Sequence, residues 1–140
     1  MSLERYRNFA NVKQEAVLHA LCLQYPEIKR LRWRQAVLEA MQPLAEPEED
    51  DPGEFMEFVM GLNLVPDGYA IHLDERELLF FEVEVHSPMS GKKLQSYGKF
   101  AIDLAGLGIG FGVLSVNKHG HINEVDLMPH YASWLAEVSA

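Results

Sequence analysis

The segment Leu78-Leu79-Phe80-Phe81-Glu82-Val83-Glu84-Val85-His86 constrains this chain more than any other. Its aliphatic, aromatic and β-branched residues, uninterrupted by glycine or proline, read as a strand. It lies in the middle of the chain and is among its most apolar stretches, yet it carries acids at i and i+2. Strand side chains alternate, so Phe80, Glu82, Glu84 and His86 share one face, and Phe81, Val83 and Val85 the other. Carboxylates under covering helices are costly unless paired or metal-bound. A solvated face of an antiparallel strand accounts for the same pattern without any function.

The surrounding pattern predicts a mixed α/β (α+β) fold, a central mixed β-sheet flanked by helices. Val12, Ala16, Val17, Leu18, Leu21 and Leu23 follow helical spacing, and Ile28 to Met41 predicts a second helix ending before Pro43. Phe55 to Val65, apolar and aromatic, reads as the first of three strands. Tyr69 to Leu73 and Leu78 to His86 form a hairpin around the loop Asp74 to Glu77. Lys92 to Leu107 returns to helical spacing. Phe111 to Val116 and Ile122 to Leu127 are two further strands, and Pro129 to Val138 a closing helix with proline in its first turn. The predicted order is α–α–β–β–β–α–β–β–α, in a single domain over residues 1–140. Three prolines and five acids make 43–53 an exposed, acidic, mobile loop inside that domain.

Charge narrows the function. The formal net charge is −9. Residues 1–42 carry +3, residues 43–90 carry −12, and the remainder balances. Such a chain is no general nucleic-acid coat, because phosphate affinity comes from cations. An enzyme meeting phosphate only at a metal site stays open. The run Lys29-Arg30-Leu31-Arg32-Trp33-Arg34 is either a phosphate patch or a solvated helix face. A single cysteine, Cys22, excludes an internal disulfide and a multi-cysteine zinc site. No apolar run reaches the ~18–20 residues of a membrane helix. The opening Met-Ser-Leu-Glu-Arg lacks a signal core, so a cytoplasmic protein is expected.

Asp67, in the turn Pro66-Asp67-Gly68, gives the strand acids a partner. A loop at 74–77 pairs Leu73 with Leu78 and Tyr69 with Glu82, and continuing that register sets Asp67 opposite Glu84. Carboxylates converging at a strand end suit an oxygen-seeking Mg²⁺ or Mn²⁺. On the next helix Lys93, Tyr97, Phe100 and Leu104 form one stripe at i, i+4, i+7 and i+11. Lys93 therefore opens the buried stripe nearest the acidic strand, where it can orient a water or meet phosphate charge. Alternatively it snorkels to solvent past Tyr97.

Pro66-Asp67, then Phe81-Glu82-Val83-Glu84, then Lys93-Leu94-Gln95-Ser96-Tyr97 resembles the PD-(D/E)XK nuclease superfamily, over roughly residues 9 to 117. The resemblance implies a restriction-endonuclease-like core of helix, three strands, helix and strand, and metal-dependent hydrolysis of DNA phosphodiesters. It implies Asp67 as the motif aspartate, Glu82 as the second acid and Glu15 as an outlying helical metal ligand. Asp67, Glu82, Glu84 and Lys93 are then the catalytic candidates, and Asp67, Glu82 and Glu15 the ligands of Mg²⁺ or Mn²⁺. The sequence departs from the pattern at the motif lysine, where Glu84 stands. Lys93 is the relocated lysine, or the site is degenerate.

Other motifs are weaker. His119-Gly120-His121 lacks a third metal ligand at a recognisable spacing, and Gly106 to Gly112 follows a helix instead of opening one. Two function classes remain. One is a small metal-dependent nuclease acting on DNA, of the kind carried by phage, plasmids or defence islands, with a homodimer as its expected assembly. The other is a non-catalytic nuclease-fold interaction or regulatory protein, whose acidic 43–57 surface meets a basic protein partner or mimics nucleic acid.

Overall fold

The computed structural model describes residues 14–45, 53–85 and 88–140. The elements run α1 (Gln14–Gln24), α2 (Trp33–Ala45), α3 (Gly53–Gly61), β1 (Gly68–His72), β2 (Glu77–Glu84), α4 (Gly91–Ala105), β3 (Gly110–Asn117), β4 (Ile122–Glu124) and α5 (Met128–Val138). One four-stranded sheet has the order β1-β2-β3-β4. β1 is antiparallel to β2, β3 runs parallel to β2 after the α4 crossover, and β4 returns antiparallel. The mixed sheet flanked by helices is therefore the architecture that the hydrophobic pattern predicts.

The sheet has a core on each face. On one, Tyr69, Leu78, Phe80 and Val113 pack against Trp33, Val37 and Met41 of α2, Phe55 and Val59 of α3, and Tyr97, Phe100 and Leu104 of α4. Phe80 is its centre, meeting Trp33 and Phe111 edge-on with ring centroids 4.9 Å apart. On the other face Ala70, Phe81, Val83 and Val116 meet Val17, Leu18 and Leu21 of α1. A strand covered on both sides explains why β2 is so apolar.

Several elements differ from the sequence reading. Residues 53–61 are helical, so the first of the three predicted strands is α3. Its buried residues Phe55 and Val59, followed by Leu62, fall at i, i+4 and i+7. That is a helical period masked by strand-like composition. The second helix starts at Trp33 rather than Ile28, because Lys29 is drawn into an antiparallel bridge with Tyr69 at the sheet edge. It also runs on to Ala45, with Pro43 in its last turn, so the helix continues past the proline expected to end it. Residues 43–45 and 53 of the predicted acidic loop are thus helical, while 46–52 lie outside the described residues, as does His86. The last predicted strand stops at Glu124.

The hairpin register shifts by two residues. His72 pairs with Glu77 and Tyr69 with Phe80, where the expected partners are different. The loop is Leu73 to Arg76, closed by the Arg76 N–H donating to the Leu73 carbonyl (3.1 Å) with Arg76 at φ 53°. The Arg76 guanidinium holds this turn in place by donating to the carbonyls of Leu44 (2.7 Å) and Gly108 (3.0 Å). An even shift leaves each side chain on its face, so Phe80 and Glu82 still point the same way. It does move Asp67 back beside Glu82 and Val83, away from Glu84.

Candidate active site

The candidate site lies where β1 begins and β2 ends. Asp67, in the turn just before β1, accepts a hydrogen bond at Oδ2 from the backbone N–H of Val83 (2.8 Å). That contact ties the turn to the strand next to Glu82. Glu82 is 3% exposed, the sole charged residue among those described that is buried. Its side chain points to the α4 face with Phe80, as strand alternation requires.

α4 supplies the partners. Ser90 caps the helix, its Oγ accepting from the Lys93 N–H (3.2 Å), and this sets the helical phase. The stripe then falls as expected, with Tyr97, Phe100 and Leu104 buried. Lys93 opens it and its Nζ reaches Glu82 Oε2 at 2.9 Å. The ammonium lies 5.9 Å from the centre of the Tyr97 ring. Tyr97 donates its hydroxyl to Glu82 Oε1. Lys93 therefore does not turn wholly to solvent, since its side chain is 27% exposed.

Electrostatics follow from this geometry. Burial pushes the Glu82 carboxyl above its ordinary value. Hydrogen bonds from Lys93 and Tyr97 and the Lys93 charge pull it back, while the Asp67 charge raises it further. Burial, then the charge of Glu82, push the Tyr97 hydroxyl far upward. Tyr97 is thus a permanent donor at neutral pH, holding one Glu82 oxygen while Lys93 holds the other. Tyr97 is the partner that sequence reasoning misses, as it reads there as one apolar stripe member. The available signal is that a buried tyrosine needs an acceptor, and Glu82 faces it.

The remaining candidates lie elsewhere. Glu84 Oε1 accepts from the Met89 N–H (3.3 Å), closing the connection from β2 to α4. Glu15 forms a salt bridge with Arg30 (2.7 Å) on α1, which packs on the opposite sheet face. The structure does not bring Glu15 to Asp67 and Glu82. Among the described residues no group of three or more His, Cys, Asp and Glu side chains is placed to hold a metal ion. His119 and His121 belong to a turn, both backbone N–H groups donating to Asn117 Oδ1. No helix of the described residues is long and apolar enough to cross a membrane. Comparison with protein-family models, curated proteins and solved structures gave no match in any of the three.

Proposed function

We propose that the chain is a metal-dependent nuclease that hydrolyses DNA phosphodiesters at Asp67, Glu82 and Lys93. The observation that carries this reading is the convergence of an Asp67 turn, a buried Glu82 and the Lys93 ammonium at one sheet end. Sequence spacing alone leaves these three apart by up to 26 positions. The donor set suits a hard dication. Mg²⁺ keeps several waters and takes one or two carboxylates together with substrate phosphate. The Asp67 and Glu82 charges oppose each other, and a dication between them offsets that repulsion. Asp67 and Glu82 are the residues that would hold it, and when bound it supplies a water of lowered pKa and a counter-charge to phosphate.

The chain's own groups do the rest. Tyr97 fixes the Glu82 carboxylate from one side. Lys93 gives one of its three N–H donors to Glu82 and retains others for a phosphate oxygen or an attacking water. The lone cysteine suits a cytoplasmic enzyme. A second reading, a non-catalytic interaction protein, is favoured by one observation: both Glu82 oxygens already carry protein donors.

The test is a cleavage assay with Mg²⁺ and Mn²⁺ on single- and double-stranded DNA, beside calorimetric metal titration. Asp67→Ala and Glu82→Ala abolish cleavage under the nuclease reading. Lys93→Ala slows it with metal affinity nearly intact. Metal binding without cleavage of any substrate supports the non-catalytic reading, and no binding at millimolar metal rejects the metal site.

A further inference from the structure

Resting on the nuclease reading, we propose that Lys29 and Arg32 form a phosphate-binding strip that seats a DNA strand beside the Asp67–Glu82–Lys93 site. The bridge between Lys29 and Tyr69 extends the sheet by a short edge segment running antiparallel to β1. Both backbone bonds of that bridge are 2.8 Å. The Tyr69 hydroxyl donates to the Leu31 carbonyl (2.8 Å), so the segment is pinned beyond the bridge as well. Tyr69 lies on the face of Phe80 and Glu82, so its hold on the Leu31 carbonyl lifts Leu31, and Arg32 after it, off the sheet edge on that same face. Lys29 pairs with Tyr69, which pairs with Phe80, so its side chain leaves the backbone on the Glu82 side of the sheet, at an edge from which its charge also reaches Cys22 on α1. Strand spacing and rise put the Lys29 backbone about 12 Å from that of Glu82, a few phosphates along one strand.

The four cations of the run divide by role. Arg30 is spent on Glu15. Arg34 donates to the carbonyls of Leu62 (2.7 Å) and Leu64 (3.2 Å) and stacks on Trp33, so it is part of the packing. Lys29 and Arg32 are exposed, and among the described residues no acid pairs with either. A polyanion approaching a chain of net charge −9 needs such a local positive surface. Among the described residues the site itself offers one ammonium, Lys93, and shares it with Glu82.

The test pairs binding with chemistry. Fluorescence anisotropy follows a labelled DNA single strand, and separately its duplex, on the metal-free chain in EDTA across a salt series. The variant is Lys29→Gln/Arg32→Asn, because Asn tolerates the left-handed backbone of Arg32 (φ 58°) and the fold is kept. Binding should weaken about tenfold or more at low salt, and the salt slope should fall by about 1.4 for single strands or 1.8 for duplex. Whichever form binds more tightly identifies the strand's source. Turnover of bis(p-nitrophenyl) phosphate with Mn²⁺, too small to reach the strip, should be unchanged. Equal affinity and slope in the variant overturn the strip, as does a wild-type chain that binds neither form at low salt. Binding lost in the variant, from a wild-type chain that hydrolyses nothing, upholds the strip and rejects the nuclease reading alone.

Discussion

Lys92 and Lys93 are neighbours, and each holds a glutamate at nearly the same distance, 3.1 Å for Glu137 and 2.9 Å for Glu82. The outer pair is open to water, with side chains 83% and 51% exposed, against 27% and 4% for the inner one. Their carboxyls move in opposite directions. Hydrogen bonds from Gln95 and then Lys92 hold Glu137 below its ordinary value. Burial holds Glu82 above it despite the same kind of lysine partner and a tyrosine in addition. One residue of helical phase, about 100°, decides which lysine faces the sheet and which faces α5. The contact distance says little about either pair. The water each carboxylate gave up to reach it says most.

The largest test of this contrast is to remove each ammonium in turn. Lys93→Met should cost about 3 kcal/mol in urea unfolding at neutral pH, because it strands a buried charge. Lys92→Met should leave the midpoint where it is. Equal effects would break the comparison. Adding Glu82→Gln to Lys93→Met should recover most of the loss, and a double-mutant cycle that closes to zero would show that the pair is not coupled. Next in size is Tyr97→Phe, which keeps the ring but removes a donor to a charged acceptor, for about 2 kcal/mol.

The smallest effect is the pH dependence of the unaltered chain. Glu82 has a folded-state value raised above its ordinary 4.5. Its neutral form is therefore the one folding favours. That contribution is fully present below 4.5 and is lost as pH rises through the folded value. The deficit of Lys93→Met should shrink at pH values just above that window, because loss of the ammonium raises Glu82 further and the variant takes up its proton first. Urea midpoints measured from neutral pH downward check both, and a deficit that is flat with pH would remove Glu82 as its origin.

α4 was legible residue by residue, because one buried stripe with a polar back is a periodic signal that its own packing preserves. Tyr97, Phe100 and Leu104 are buried as the stripe requires, and Lys92 is exposed. Lys99 departs from the simple pattern, being only 35% exposed, paired with Asp103 and set between the rings of Phe58 and Trp134. Nothing in the spacing within α4 announces that α3 and α5 close over it. Gly98 marks one such approach: a Cβ there would lie 2.8 Å from the Tyr131 nitrogen. α3 was illegible for a different reason, since aromatic content outweighed a period that only two turns of helix had room to display.

The candidate site divides in the same way. Alternation along β2 places Glu82 with Phe80, and helical period places Lys93 with Tyr97, so both half-sites are local consequences of sequence. Their meeting is not local. It depends on β3 accepting β2 in parallel after the α4 crossover, and on the turn at Leu73 to Arg76, anchored by Arg76 to Leu44 and Gly108. That turn set the hairpin register two residues from the expected one and brought Asp67 to Val83. The depth at which Glu82 lies was likewise decided by what packs over it, because the same alternating acids on an uncovered strand would be solvated. Periodicity along one element is written in the order of its residues. Register and burial are properties of pairs of elements, and those pairs exist only once the chain has folded.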